Sequence, residues 1–208
     1  MPAKTLFVVT HTEAVHHVEH LVGGWYDTVL TEAGRCAAKK IAAHLKAQIG
    51  DRDVELYSSD LLRASQTAEP TAHALGVKIA LMPDLREMHY GVAEGRPQEW
   101  LRARQTPPPD DNRLDHRGNI EKAETRREFA TRIYRAMDAI MAQPSAVKIV
   151  ITHGFVPTFI VAAWVGMPLE STGYIDLRVS PGSITHLSED EFWRSRTVVA
   201  LGSTGHLE

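Results

Sequence analysis

Phe7-Val8-Val9-Thr10-His11-Thr12-Glu13 is a short apolar run, rich in β-branched residues, that ends abruptly at a histidine. The pattern predicts a buried strand over residues 5–10 that delivers His11 to its carboxyl end. Lys148-Ile149-Val150-Ile151-Thr152-His153-Gly154 repeats it, an apolar run ending in Thr-His. In open α/β sheets ligands sit in the crevice outside the strand carboxyl ends. A lone histidine there is ordinarily a loop residue making its own hydrogen bonds. Two parallel strands that each end in histidine would bring both imidazoles to one rim.

Working outward, residues 11–30 read as a loop broken at Gly23-Gly24. Thr31 is an N-cap for a helix to about Gln48, with Ile41, Leu45 and Ile49 at helical spacing. Residues 55–58 form a strand, and Asp60 is placed to cap the helix after it. That helix has Leu61, Ala64, Ala68, Ala72 and Leu75 on its apolar face and Gly76 as its stop. Residues 77–81 are a further strand. Residues 82–120 are an irregular excursion, readable as a lid over a site or as a flexible surface loop. Residues 123–142 form an amphipathic helix on Phe129, Ile133, Met137 and Ile140, and residues 155–165 a buried one. Residues 174–179, 183–187 and 196–201 read as terminal strands, with Pro181-Gly182 as a turn. Strands alternating with helices imply an α/β fold with a mostly parallel sheet, over residues 1–208 as a single domain.

Composition narrows the function. With 43% hydrophobic and 24% charged residues among 208, the chain has material for a sizeable core. A net charge of −3 gives no global reason to bind nucleic acid or an anionic membrane, so any anion site is local. The single cysteine, Cys36, excludes an internal disulfide and is read as a small buried helix residue. Met-Pro-Ala-Lys leads directly into the first strand, with no signal-peptide pattern and no apolar run of transmembrane length. A cytoplasmic protein is expected.

Two more residues carry chemistry. Arg63 falls in the first turn of a helix, where backbone N–H groups and the dipole favour an anion. Its guanidinium would fork onto phosphate oxygens, or would pair with Asp60 on the surface. Glu87, in Leu85-Arg86-Glu87-Met88-His89-Tyr90-Gly91, has apolar and aromatic neighbours. Such a setting raises a carboxyl pKa and suits a proton donor, although a structural carboxylate fits as well.

The chain resembles the histidine phosphatase superfamily, which includes the cofactor-dependent phosphoglycerate mutases. The resemblance rests on the Thr-His segments at 10–12 and 152–154, on Asp27-Thr28-Val29-Leu30-Thr31-Glu32-Ala33-Gly34, and above all on residues 58–68, Ser-Ser-Asp-Leu-Leu-Arg-Ala-Ser-Gln-Thr-Ala. Leu85-Arg86-Glu87 and Ala123-Glu124-Thr125 extend it. It implies a three-layer, phosphoglycerate mutase-like sandwich. It also implies a phosphatase of a small phosphorylated metabolite, with His11 as nucleophile, Arg63 and His153 on the phosphoryl oxygens and Glu87 as proton donor. Thr10, Thr12, His17, Thr152 and Gly154 are the expected substrate contacts. No metal and no cofactor are expected, and a homodimer fits the resemblance.

The chain departs from the family at its first histidine, where Thr10-His11-Thr12 replaces Arg-His-Gly. Losing one charge-assisted contact to the transition state costs about 2.7–4 kcal/mol, by analogy with an oxyanion-hole donor. Arg86, Arg35, His16, His17 and His20 are candidates to compensate. Three alternatives remain: a binding site with weak or no turnover, a phosphoglycerate mutase-type transferase, and a metal site on His16 and His20 with His11, His17 and Glu13. The chain lacks the insertions by which mutases of this family usually enclose a bisphosphate. Trp25, Tyr26, Tyr90 and Trp100 read equally as pocket or core, and Arg96, Arg102 and Arg104 as a solvated face near the excursion.

Overall fold

The computed structural model describes residues 3–208. The reading that the chain enters its first strand without a leader begins on Met1 and Pro2, outside the described residues. The elements run β1 (Thr5–Thr10), α1 (Val15–Val18), α2 (Glu32–Ile49), β2 (Val54–Ser58), α3 (Leu62–Leu75) and β3 (Ile79–Leu81), then α4 (Gln98–Arg102), α5 (Arg126–Met141), β4 (Val147–Thr152), α6 (Val156–Trp164), β5 (Ile184–Glu189) and β6 (Arg196–Ser203). They build one six-stranded sheet in the order β3-β2-β4-β1-β5-β6. The strands β3, β2, β4 and β1 are parallel, and β5 and β6 add on antiparallel.

Side-chain alternation along β1 sets the three layers. Leu6 and Val8 pack with Phe129, Ile133, Phe159 and Trp164 of α5 and α6. Phe7 and Val9 pack on the other face with Ile41 and Leu45 of α2 and Ala64 and Ala68 of α3. Each large side chain so buried contributes about 1.5–3 kcal/mol, which holds the strand ends rigidly in place.

Local signals set most element ends. Thr31 Oγ1 accepts Gly34 N–H at 3.0 Å. Thr125 and Glu128 form a reciprocal capping box, with bonds of 3.1 and 2.8 Å. Gly76 ends α3 in the left-handed conformation at φ 69°. Gly34 serves a different end: a Cβ there would stand 2.0 Å from the Glu13 carbonyl, so its lack of a side chain lets α2 press against the loop after His11.

Three expectations are corrected. Asp60 does not cap α3; its carboxylate takes a two-pronged ion pair from Arg86. The amide of Leu62 instead donates to Asp27 Oδ1 at 2.8 Å, a cap reaching across from the loop before α2. Residues 174–179 form no strand. The Ile175 carbonyl accepts from the Arg126 guanidinium and Leu177 N–H donates to Thr158 Oγ1, so side chains of α5 and α6 satisfy this backbone. Cys36 is exposed on α2 rather than buried.

The excursion over 82–120 contains two 3₁₀ turns, Pro83–Leu85 and Gly91–Ala93, and the short α4. It has its own apolar cluster of Val22, Ala93, Leu101, Ile120 and Ala123, with Trp100 and Tyr90 against it. Val22 and Arg96 tie it to the loop after β1 through a 2.8 Å backbone bond. It is therefore packed down onto that loop. No helix among the described residues is long and apolar enough to cross a membrane.

Candidate active site

The register of the sheet creates the site. Strands β1 and β4 are neighbours with Thr10 opposite Thr152, so the residues that follow, His11 and His153, emerge side by side. His11 N–H donates to the Thr152 carbonyl at 2.8 Å, and Ser59 N–H, at the end of β2, donates to Ile151 at 2.9 Å. The two imidazole centroids are 5.2 Å apart, edge to face, and both rings are buried.

His11 Nδ1 lies 2.8 Å from the Thr12 carbonyl. A carbonyl only accepts, so Nδ1 carries the proton and Nε2 presents a lone pair. That lone pair receives Arg63 Nε at 3.2 Å. Arg63, in the first turn of α3 and 1% exposed, also donates to the carbonyls of Tyr26 and Gly24, at 3.0 and 2.6 Å. The loop around Gly23-Gly24 thus locks the guanidinium beside His11. The alternative of a surface arginine paired with Asp60 is excluded.

His153 Nε2 meets Ser59 Oγ at 2.8 Å, while its Nδ1 is buried without a partner. Glu87 reaches the same rim. Its Oε1 accepts Met88 N–H at 2.8 Å and its Oε2 accepts Phe155 N–H at 3.0 Å, at the start of α6. Gly154 lies against that second oxygen. The Glu87 carbonyl takes Trp25 Nε1–H and an Arg132 N–H, both at 2.7 Å, which clamps the segment from behind.

Burial dominates the electrostatics. It pushes His11 and His153 well below the usual imidazole range, with Arg63 adding to the effect. His16 falls to about 3 for the same reason, helped by His17 and Arg63. Burial raises Glu87 above the usual carboxyl range, against two backbone N–H bonds and two arginines that favour its anion. The resting site is therefore a neutral imidazole set, one guanidinium, and a carboxyl group biased toward its protonated form.

The structure brings His11, Arg63, Glu87 and His153 together, with His17 stacked on His11 at 5.3 Å. The hydroxyls of two expected contacts are spent elsewhere. Thr12 Oγ1 donates to the Gly34 carbonyl at 2.8 Å, and Thr152 Oγ1 donates to Leu85 at 2.8 Å. Thr12 thus turns its branched side chain toward α2 and does not crowd the rim. Thr10 is buried at the end of β1. Of the cations considered as replacements for its missing arginine, Arg86 is paired with Asp60, and Arg35 lies on α2 beside Glu32. His20 is exposed, at φ 54°. His16 and His17 remain.

The metal expectation is corrected in its membership. His16 does not pair with His20; ring nitrogens of His11, His16 and His17 lie within 4.8 Å of one another. Glu13 is turned out to Thr31. Local spacing missed the roles of Asp27 and Ser59, because each acts on a partner tens of residues away. Trp25 sits beside Glu87, whereas Trp100 packs in the excursion under Arg104.

A probable phosphoglycerate mutase GpmB of Yersinia enterocolitica is 29% identical over 98% of this chain and 94% of its own length. The solved structure of Bacillus stearothermophilus YhfR superposes with a TM-score of 0.80 at 26% identity, covering 99% of this chain and all of that one. A mycobacterial glucosyl-3-phosphoglycerate phosphatase shares the fold, with a TM-score of 0.75 at 22% identity over 97% of this chain and all of its own. Residues 6–200 match the model of the histidine phosphatase superfamily (branch 1). With its two strand-end histidines and its mostly parallel sheet, this chain belongs to that superfamily.

Proposed function

We propose that the chain is a phosphatase of a small phosphorylated metabolite that works through a phosphohistidine at His11. The observation that carries this reading is the Thr12 carbonyl on His11 Nδ1, which leaves Nε2 unprotonated with its lone pair on a buried guanidinium. Nε2 attacks phosphorus, the P–N bond forms and the P–O bond to the leaving group breaks. Glu87, whose carboxyl pKa burial raises, gives a proton to the departing alkoxide. Its carboxylate then takes a proton from water, which attacks the phosphohistidine and releases phosphate. Arg63 and the unpartnered Nδ1 of His153 face the charge that gathers on the phosphoryl oxygens. No step needs a metal, because side chains supply the positive charge.

His17 supports turnover despite Thr10. Ala14 N–H donates to its Nδ1 at 3.3 Å, so in the neutral ring Nε2 carries the hydrogen. It is a donor stacked beside the nucleophile. A neutral donor replaces only part of a guanidinium, and that favours a second reading: a site that holds a phosphorylated ligand and turns it over slowly.

The test is hydrolysis of p-nitrophenyl phosphate by wild type and His11→Ala, from acid to neutral pH with chelator present, together with trapping of an acid-labile phosphoenzyme. Turnover and label that vanish with His11 establish the phosphatase. Binding of phosphate with no turnover establishes the second reading. Activity on phosphoglycerate that depends on a bisphosphate primer would replace both with a mutase.

A further inference from the structure

His16 has no role in the phosphatase cycle, yet the fold buries it beside the nucleophile. Its ring centroid stands 4.1 Å from that of His17 and 5.9 Å from that of His11. Ring nitrogens of all three lie within 4.8 Å of one another. A tetrahedral zinc with bonds of ~2.0–2.1 Å needs its ligand nitrogens about 3.3 Å apart, so small ring movements would complete the set.

Metal-bound histidines characteristically donate their second ring N–H to a carbonyl or hydroxyl, which aims the other nitrogen at the ion. His11 already does so, and His16 has a hydroxyl in place to accept. His11 Nδ1 is on the Thr12 carbonyl and His16 Nδ1 on Thr28 Oγ1, both at 2.8 Å. Nε2 is then the ligand atom of each ring: on His11 a metal displaces the 3.2 Å bond from Arg63 Nε–H, and on His16 it is the ring edge next to Gly23. His17 must exchange its tautomer and give up the 3.3 Å bond from Ala14, a loss of one weak contact.

The donor set selects the ion. It is three imidazoles with no carboxylate, since Glu13 is held outside by Thr31. Hard cations such as Mg²⁺ and Ca²⁺ prefer oxygen ligands, whereas imidazole suits Zn²⁺, Ni²⁺ and Cu²⁺. Three histidines leave a fourth position open toward the strand-end crevice. Arg63, 3.2 Å from His11 Nε2, repels a divalent ion and keeps the site reversible.

We propose that His11, His16 and His17 form a reversible Zn²⁺ site that switches the enzyme off by occupying the nucleophilic nitrogen. The binding half stands on the histidine cluster alone; the inhibitory half rests on the phosphatase reading.

The experiment is calorimetric titration of chelator-treated full-length protein with Zn²⁺ near neutral pH, followed by p-nitrophenyl phosphate assays at each occupancy. The expected result is one ion per chain. Affinity falls at least tenfold in His16→Gln and in His17→Gln, each checked for folding by circular dichroism. The double variant His44→Ala/His206→Ala removes the other close histidine pair, whose rings are 5.2 Å apart, and binds as wild type does. Turnover falls with occupancy and returns with chelator. Undiminished binding in both Gln variants, no binding at all, or activation by Zn²⁺ would each overturn the proposal. Because binding is read without substrate, a silent phosphatase assay beside one histidine-dependent zinc ion counts against the phosphatase reading and not against the site.

Discussion

Arg63 Nε lies 3.2 Å from His11 Nε2, and both side chains are buried. Two carbonyls of the 24–26 segment hold the guanidinium in that position. Arg63→Lys keeps the charge and loses the planar fork, which is not a conservative change at such a site. Turnover of p-nitrophenyl phosphate should drop about 10²–10³-fold, the usual cost of deleting one donor to transition-state charge. A drop of less than threefold in a folded variant would remove Arg63 from the phosphoryl site.

Glu87 is biased toward its protonated form by burial. Activity should therefore decline as pH rises through its raised pKa. Glu87→Gln cannot donate a proton, so its defect should depend on the leaving group. Alkyl phosphates, whose alkoxides need the proton, should lose about 10²–10⁴-fold, and p-nitrophenyl phosphate much less. Equal losses on both substrates would show that Glu87 only positions other groups.

Thr10 occupies the position where the family carries an arginine, and it is buried. Thr10→Arg should raise turnover, by up to the about 10²–10³-fold that one charged donor is worth, or leave it unchanged if the strand end cannot seat the longer side chain. The matching measurement is kcat with the thermal midpoint. Lower turnover in a variant of unchanged stability would mean that the histidine cluster has fully replaced the arginine.

Acid stability tests the neutral imidazoles. His16 titrates at about 3 in the folded chain against 6.5 when unfolded. Between those values the unfolded chain binds more protons, so this group makes stability rise with pH and fall on acidification, with no effect above about pH 6.5. Glu87 acts with the opposite sign: its raised folded pKa contributes stability below 4.5 that is lost as pH rises through the folded value. Urea midpoints for His16→Gln should therefore fall less steeply than wild type between pH 6 and 4. Parallel curves would contradict a neutral His16.

Gly34→Ala should destabilise the fold and the site together. The new Cβ would meet the Glu13 carbonyl at 2.0 Å, and only backbone movement relieves that. Overpacking of this kind costs about 1–3 kcal/mol. Thermal unfolding and kcat of the same sample give both readings, and an unchanged midpoint would rule out close packing between α2 and the loop after His11.

The sheet, its helices and the two strand-end histidines are legible in the chain's own residues. Those features are written in local periodicity: Leu6 and Val8 against Phe7 and Val9, Thr31 and Gly76 as caps, and residues 58–68 as one continuous motif. Tertiary structure alone decided who meets whom across the chain. It paired Asp60 with Arg86 and left the helix cap to Asp27, 35 residues from its partner. It turned Thr12 toward Gly34 and gathered His16 and His17 onto His11. It left residues 174–179 without a neighbouring strand, although their alternation suits one, and side chains of α5 and α6 satisfy their backbone instead. Periodicity reports which face a residue presents. The direction of a hydrogen bond and the identity of a distant partner depend on packing that no local window contains.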